Sequence, residues 1–267
     1  MKIALIGAGV MGESLLAGIL RSEVNPSDIK IAEIREARAA ELSDKYGVTC
    51  CDARTAVTDV DTVLLVVKPQ NIAEVLVEIS SVLDPNTLII SLAAGITTAA
   101  MEANLPSGQP VARVMPNTPS LVDQGMSGIS AGSNCSALHL ERAVSLMNSV
   151  GLSVVIPEEL QDSLTAVSGS GPAYIFYVIE SMVAAAVELG ITREMATDLV
   201  VQTVFGAATL IKQTGDEAQT LRERVSSPGG VTVAAIASLD EHGVREAFSA
   251  AMTAAVKRSK ELGQPAN

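Results

Sequence analysis

The chain has 267 residues, of which 48% are hydrophobic, and a formal net charge of −12. This length allows one large domain or two modest ones with a substantial core. An acidic protein repels nucleic-acid phosphates and anionic membrane surfaces, so we expect neither as a partner. The cysteines Cys50, Cys51 and Cys135 lack metal-ligand spacing, so we expect no metal site. Reduced thiols and an N-terminus without a signal-peptide pattern predict a cytoplasmic protein.

The first half alternates short β-branched runs with helical patterns, which is typical of a parallel sheet covered on both faces. The predicted strands are Lys2–Ile6, Ile29–Glu33, Val63–Val67, Leu88–Ser91 and Val111–Met115, with shorter ones near Val48, at Met126–Ala131 and at Leu152–Ile156. The predicted helices are Val10–Arg21, Glu36–Tyr46, Ile72–Val82 and Cys135–Ser149. We therefore predict an α/β chain whose residues 1–157 form a doubly wound, mostly parallel Rossmann domain that binds a dinucleotide.

Beyond residue 157 the strand signal stops and apolar residues recur at helical spacing. This pattern predicts an all-helical domain over residues 158–267, with helices at Ala173–Leu189, Arg193–Gln213, Glu217–Val225, Val231–Leu239 and Val244–Leu262. The first two of these helices carry few charges and need cover on all sides, which a domain of this size cannot supply. We expect a homodimer or larger assembly through them. The alternative is a central helix in a monomeric bundle.

The strongest motif is a G-x-G-x-x-G that directly follows the first strand and begins a helix. In such a motif the first glycine allows a tight turn, the second lets the backbone approach a pyrophosphate, and the third permits close packing of helix and strand. The helix N-terminus then faces the phosphates. The predicted cofactor-binding residues here are Gly7, Ala8, Gly9, Val10, Met11 and Gly12.

The end of the second strand discriminates between the two nicotinamide dinucleotides, because an acid there pairs with the ribose diol of NAD and a cation accepts the 2′-phosphate of NADP. Glu33 favours NAD, whereas Arg35 and Arg38 favour NADP. The alternative is that all three residues form a solvated strand end. We expect NADP(H), held by Arg35, with NAD(H) left open.

Loops after three further strands should border the cofactor, since ligands bind at the carboxyl ends of strands in open α/β sheets. Each loop can equally be a turn required only by the fold. We predict cofactor contacts from them as follows: Val67, Lys68, Pro69, Ala93, Ala94, Gly95 and Asn117.

Two glycine-rich turns lie in the helical half, at residues 168–174 and 227–232, and each immediately precedes a helix. The unpaired amides at such a helix start can hold the carboxylate of a small acidic substrate. A capped helix start with proline in the first turn is an equally good interpretation.

Taken together, these segments resemble the pyrroline-5-carboxylate reductase family. The resemblance rests on the glycine motif followed in order by V-K-P, A-A-G, M-P-N-T-P, S-G-S-G-P-A-Y and S-P-G-G-x-T, and it extends from Met1 to about Leu262. It implies a Rossmann domain, an interleaved helical dimerisation domain, and dimers that can assemble into a decamer. The implied activity is NAD(P)H-dependent reduction of 1-pyrroline-5-carboxylate to L-proline, the last step of proline biosynthesis.

The resemblance also implies roles for single residues. The amides of Val231 and Thr232 would hold the substrate carboxylate, and the Thr232 hydroxyl would reach the ring nitrogen and serve as the catalytic group. The other implied substrate-binding residues are Glu158, Ser227, Gly229 and Gly230. Ala53 and Ile34 stand where other members have asparagine and arginine, which puts the adenosine end of the cofactor site in question.

His139 is predicted on a helix and His242 in a charged turn, both at the surface, so we expect no histidine to serve as the proton acceptor that an alcohol dehydrogenase needs. A cyclic imine protonates in water and needs mainly orientation. Two alternatives remain: a related imine reductase or β-hydroxyacid dehydrogenase, and a non-catalytic nucleotide-sensing protein.

Overall fold

A computed structural model describes residues 1–262 of the chain. These residues divide into two compact units. The sheet unit comprises residues 1–170 together with residues 255–262, and the helical unit comprises Gly171–Ala254. The predicted first domain ends earlier, at residue 157, and residues 263–267 of the predicted second domain lie outside the described residues.

The sheet unit contains one eight-stranded sheet in the order β3-β2-β1-β4-β5-β6-β7-β8. All neighbouring strands are parallel except β6 and β7, which are antiparallel. The chain places β2 and β3 on one side of β1 and β4 to β6 on the other, so the order of strands switches between β1 and β4, as in doubly wound dinucleotide-binding domains. This topology confirms the predicted fold class. The strands are β1 (Ile3–Ile6), β2 (Ile29–Ala32), β3 (Thr49–Cys50), β4 (Thr62–Leu65), β5 (Leu88–Ser91), β6 (Val111–Met115), β7 (Gly125–Ala131) and β8 (Gly151–Val155).

Alternate residues of the central strands enter two separate cores on the two faces of the sheet. In β1, Ile3 and Leu5 belong to one core and Ala4 and Ile6 to the other, and all four are almost fully buried. This double burial explains why the strands have continuous apolar runs and were predictable from sequence.

Seven helices of the sheet unit cover its faces or connect its strands. They are α1 (Val10–Arg21), α2 (Glu36–Tyr46), α3 (Ala53–Ala56), α4 (Ile72–Ser80), α5 (Thr98–Glu102), α6 (Ala137–Met147) and α7 (Gln161–Leu164). Local signals explain where several of them begin and end: α2 ends at Gly47, which has φ +69°, and α6 begins with a capping box between Ser136 and His139. The short helices α3, α5 and α7 were not predicted, because a single turn has no apolar period.

The remaining helices are α8 (Gly171–Glu188), α9 (Arg193–Thr214), α10 (Ala218–Arg224), α11 (Val231–Glu241) and α12 (Val244–Leu262), the last of which continues into the sheet unit. A π-helical segment over residues 165–169 precedes α8. The core of the helical unit is small, with Val183, Ala196 and Val200 at its centre. Large apolar side chains of α8 and α9 are exposed, including Phe176 at 62% and Phe205 at 64%.

Two helical stretches, Glu158–Glu188 and Arg193–Thr214, are long and apolar enough to cross a membrane by length and composition alone. This is weak evidence for a membrane span, because helices of soluble proteins pass the same test.

Candidate functional site

The turn between β1 and α1 has the geometry that a dinucleotide-binding loop needs. Gly7 has φ +88°, and a Cβ there would lie 2.6 Å from the Val66 carbonyl oxygen. A Cβ on Gly12 would lie 2.4 Å from the Gly7 carbonyl oxygen, so α1 packs directly against the turn. Gly9 differs from both, because a Cβ there would meet no atom within 4 Å. Gly9 therefore leaves open space beside the N-terminus of α1, where amides without a helical partner attract phosphate.

Two side chains, one just after β2 and one in α2, form hydrogen bonds with the backbone of Ala8. Its N–H donates to Glu33 Oε2 at 3.1 Å, and its carbonyl oxygen accepts from Arg38 Nε at 3.2 Å. Ala8 was predicted as a cofactor contact, and its amide already has a partner within the protein. The donors left for a pyrophosphate are the amides in the first turn of α1.

A cavity of about 780 Å³ opens at the carboxyl ends of β1, β2 and β4. Its volume lies within the range of cofactor sites in proteins. The residues that line it include predicted contacts (Gly7, Gly9, Arg35, Val67 and Lys68), the two positions at which the chain departs from the family pattern (Ile34 and Ala53), and residues that were not predicted, among them Asp52, Gln70 and Asn71. The rule that ligands bind at carboxyl strand ends could have indicated the unpredicted ones, which follow β3 and β4. The glycine turn, the free amides at the start of α1 and the cavity together fit a dinucleotide.

Glu33 and Arg35 form a two-bond ion pair at the edge of this cavity. Arg35 Nε donates to Glu33 Oε1 at 2.9 Å, and its terminal nitrogen donates to Oε2 at 3.1 Å. These side-chain bonds, joined by bonds from the Arg35 and Ala8 amides, lower the pKa of Glu33 to about 2 although burial opposes the shift. The Glu33 side chain is 4% exposed and that of Arg35 is 61% exposed. Glu33 therefore has little free capacity for a ribose diol, whereas Arg35 is accessible from solvent.

Arg38, the other cation considered for the 2′-phosphate, is engaged behind the glycine turn. It pairs with Glu13 of α1 and with Glu41. Glu13 also accepts from Lys45 Nζ at 2.8 Å and from the Tyr46 hydroxyl at 2.9 Å. The bonds from Lys45 and then Arg38 lower the pKa of Glu13 to about 2. This network joins α1 to α2, which leaves Arg35 as the better candidate for an adenosine phosphate.

The predicted contact residues after the other strands lie at the same edge of the sheet. Lys68 and Pro69 are exposed just beyond β4, and Ala93 to Gly95 form the turn that follows β5. Gly95 has φ +79°, which explains the need for glycine in this turn.

Asn117 holds the loop after β6 in place. Its amide nitrogen lies 3.2 Å from both the carbonyl and hydroxyl oxygens of Ser168, and its Oδ1 accepts from the Met126 amide at 2.9 Å. Its side chain therefore joins three segments of the sheet unit, and its predicted contact with the cofactor stays a prediction.

Glu158 lies in the sheet unit, where its carboxylate contacts Thr98 and Arg113. Oε1 accepts from the Thr98 amide at 2.8 Å and lies 3.4 Å from Arg113, and Oε2 accepts from the Thr98 hydroxyl at 2.5 Å. Its predicted contact with the substrate stays a prediction.

The turn at residues 227–232 lies in the helical unit and ends at the N-terminus of α11. Gly229 has φ +71°, and the Gly230 amide donates to the Ser227 carbonyl oxygen at 2.9 Å. Gly230 is the N-cap, so the amides of Val231 and Thr232 are in the first helical turn and have no helical acceptor. Val231 is 90% exposed, so these amides are placed where a carboxylate could reach them.

Neither histidine is placed as a catalytic base by its surroundings. His139 serves as the third residue of the α6 capping box, and burial lowers its pKa. His242 is exposed at the end of α11.

Comparison with known proteins agrees with the geometry. A family model described as "Pyrroline-5-carboxylate reductase dimerisation" matches residues 158–262, and one described as "NADP oxidoreductase coenzyme F420-dependent" matches residues 2–95. Among curated relatives, a pyrroline-5-carboxylate reductase of Corynebacterium melassecola is 46% identical over 98% of both chains. One of Methanosarcina acetivorans is 40% identical, also over 98% of both. Among solved structures, a pyrroline-5-carboxylate reductase from Coxiella burnetii has a TM-score of 0.95 and 37% identity over 98% of both chains.

The doubly wound sheet with its open glycine turn, together with the match of residues 2–95 to an NADP oxidoreductase model, indicates a Rossmann-type nicotinamide-dependent oxidoreductase. The helical half separates this chain from other enzymes with such a sheet, because the dimerisation model covers that half through residue 262. The chain belongs to the pyrroline-5-carboxylate reductase family. The resemblance inferred from sequence is thereby confirmed, as is the prediction of an NAD(P)H-dependent oxidoreductase that acts on the CH–NH group.

Proposed function

We propose that this chain reduces 1-pyrroline-5-carboxylate to L-proline with NADPH, the last step of proline biosynthesis. The observation that carries this proposal is similarity over 98% of the chain to reductases of that name, with identities up to 46%. A further solved structure, the pyrroline carboxylate reductase of Plasmodium falciparum, contains NADP and shares 28% identity and a TM-score of 0.87 with this chain. NADH remains the alternative cofactor.

The sheet unit would bind the nucleotide. The open space at Gly9 and the free amides of Val10 and Met11 would hold the pyrophosphate, and Arg35 would pair with the 2′-phosphate, a geometry that suits a guanidinium. The exposed loop at Val67–Pro69 would flank the ribose next to the nicotinamide. The turn at Ala93–Gly95, with its small side chains, would border the nicotinamide ring.

The helical unit would supply the substrate contacts. The amides of Val231 and Thr232 would hold the substrate carboxylate at the start of α11, in a turn shaped by Ser227, Gly229 and Gly230. The Thr232 hydroxyl would hydrogen-bond to the ring nitrogen and fix the face of the ring that is reduced. Bound NADPH supplies the hydride. The imine carbon would accept this hydride, and the ring nitrogen, already protonated from water, would keep its proton as the C=N double bond becomes a single bond.

The helical unit would also form the dimer interface. Exposed apolar residues on α8 and α9, such as Phe176 and Phe205, would be covered by a second copy of the chain. Assembly of dimers into a decamer, which the resemblance implies, is part of the same proposal and is tested by the mass of the purified protein. We place the protein in the cytosol, because Cys50, Cys51 and Cys135 are free thiols.

The decisive experiment follows NADPH and NADH oxidation separately, with racemic 1-pyrroline-5-carboxylate and with its six-membered homologue. We expect NADPH oxidation with the five-membered imine and accumulation of proline. Absence of oxidation with either nucleotide would overturn the proposal, and preference for the six-membered ring would favour a related imine reductase.

Thr232→Val tests the substrate role, because it removes the hydroxyl and keeps the shape and the backbone amides. Loss of a hydrogen bond to a charged ring nitrogen should lower kcat/KM by about tenfold or more. Thr232→Ser, which retains a hydroxyl, is the matched control and should recover most of the activity. Equal activity of the Val variant and the wild type would exclude the proposed hydrogen bond.

A further inference from the structure

The carboxylate of Glu158 acts on the turn that follows β5. It accepts two hydrogen bonds from one residue, Thr98, through both the amide (2.8 Å) and the hydroxyl (2.5 Å). Thr98 is the first residue of α5 and is only 6% exposed. Its amide has no acceptor within the helix, and a buried amide without a partner is costly. Glu158 is therefore the group that makes this buried helix start stable.

The bonds to Thr98 fix the far end of the segment Leu92–Thr97, which contains the Ala93–Gly95 turn. The near end is held by the Leu92 amide, which donates to Leu65 at 3.0 Å, and by the Ala93 amide, which lies 3.3 Å from Ser91 Oγ. Between these ends, the described part of the chain (residues 1–262) offers no hydrogen bond to the backbone at positions 94–96. The position of the turn thus depends on its two ends.

Arg113 of β6 forms an ion pair with Glu158. The Arg113 side chain is 7% exposed, and its ion-pair partner among residues 1–262 is Glu158, at 3.4 Å. A buried guanidinium needs a compensating charge. The carboxylate therefore links the start of α5 to β6, and its lone pairs are directed to Thr98 and Arg113.

We propose that Glu158 is a positioning residue for the nicotinamide-side turn, which it holds through Thr98. This inference rests on the proposed function, because it takes the Ala93–Gly95 turn as the border of the nicotinamide. It predicts that loss of the carboxylate weakens binding of the nucleotide even when no substrate is present.

The test compares Glu158→Ala with Glu159→Ala, in which the neighbouring exposed acid is removed. The first measurement is backbone hydrogen exchange over residues 92–98, and the second is the Kd for NADPH from fluorescence titration without substrate. In Glu158→Ala we expect Thr98 to exchange about tenfold faster or more, as fits the loss of a hydrogen bond to a charged acceptor. The Kd for NADPH should rise at least about threefold, while Glu159→Ala leaves both quantities within about twofold of the wild type.

Two further variants keep the proposal testable if Glu158→Ala does not fold. Glu158→Gln retains an oxygen that can accept the Thr98 amide, so it should recover most of the exchange protection and of the NADPH affinity. Thr98→Val removes only the hydrogen bond from the hydroxyl and should also raise the Kd for NADPH, as Glu158→Ala does. A charged substrate contact would behave differently, because Glu158→Gln would then fail as Glu158→Ala does.

The proposal is overturned if Glu158→Ala, or Glu158→Gln and Thr98→Val in its place, leave hydrogen exchange and NADPH binding unchanged and raise only the KM for the pyrroline. Failure of the proposed function is a separate result. It would appear as a wild-type protein that does not oxidise NADPH with the pyrroline, and the exchange and binding measurements would still decide the role of Glu158.

Discussion

Gly7 and Gly9 lie two residues apart in the same turn, yet we expect Gly7→Ala to lower the free energy of unfolding and Gly9→Ala to leave it almost unchanged. At Gly7 the backbone has φ +88° and the new Cβ would lie 2.6 Å from Val66 O. The left-handed conformation costs about 1–3 kcal/mol for a residue with a side chain, and the contact adds to this cost. At Gly9 the backbone is extended, with φ −67° and ψ −163°, and the Cβ meets no atom within 4 Å. Reduced freedom of the unfolded chain there offsets the poorer N-cap, so the free energy of unfolding should change by less than about 1 kcal/mol.

Gly9→Ala, although it should be nearly as stable as the wild type, should bind the nucleotide more weakly. The Cβ of Gly9→Ala would stand in the open space where the backbone must approach a pyrophosphate, so we expect the Kd for NADPH to rise by about tenfold or more, equivalent to ~1.4 kcal/mol. Urea unfolding without nucleotide gives the stability of both variants, and fluorescence titration gives the affinity. Gly9→Ala that binds NADPH as the wild type does, or that loses as much stability as Gly7→Ala, would refute the reasoning about this turn.

Three other predictions follow from the charges and surfaces of the two units. Arg35→Met should weaken binding of 2′,5′-ADP by about tenfold while binding of 5′-ADP stays within about twofold, as measured by calorimetry, and equal losses for both ligands would exclude a 2′-phosphate contact. The pKa of Glu33 falls from 4.5 to about 2 on folding, so its stabilisation is fully present above pH 4.5 and is lost as the pH falls towards 2. Glu33→Gln should therefore unfold with a flatter acid dependence, over a span of at most about 3 kcal/mol, and an unchanged acid profile would contradict the assignment. Phe205→Glu should shift the protein towards a monomer in sedimentation experiments, because a charge on the exposed apolar face of α9 opposes its burial by a second copy, and an unchanged mass would exclude this face from the interface.

Much of the sheet could be predicted because its strands are buried on both sides. Double burial requires continuous apolar runs, and β5 and β6 accordingly have the predicted bounds. The predicted strand Val63–Val67 is shifted, because β4 covers Thr62–Leu65. The next two apolar residues, Val66 and Val67, lie beyond the end of the strand and line the cavity. Apolarity alone does not separate a strand residue from a residue that lines the cofactor cavity just after it. The glycine turn was predictable for a different reason, because few residues other than glycine can adopt the backbone conformation that the turn requires.

The pairings just after β2 could not be predicted, although Glu33, Arg35 and Arg38 were each considered. Arg35 was predicted as the cofactor contact, but a sequence gives the charges and not their partners. Folding separates them: Glu33 is bonded to the Ala8 amide and to Arg35, and Arg38 is engaged by Glu13. The choice among them depends on contacts across 25 residues of sequence separation, which a local pattern does not encode.

The same limit applies to the acids near residue 158, and it suggests a general criterion for candidate site residues. Glu158, Glu159 and Asp162 are indistinguishable as charges in sequence. In the structure, Glu158 is bonded to Thr98 and Arg113, Asp162 accepts from Ser259 at 2.7 Å, and Glu159 is exposed. An acid can bind a substrate only with acceptor capacity that the fold has left free, and the contacts of Glu158 with Thr98 and Arg113 use part of that capacity. Resemblance to a family can therefore identify which acidic residue belongs to the site. The hydrogen bonds of that residue then indicate whether it acts on the substrate or on the part of the protein that holds the cofactor.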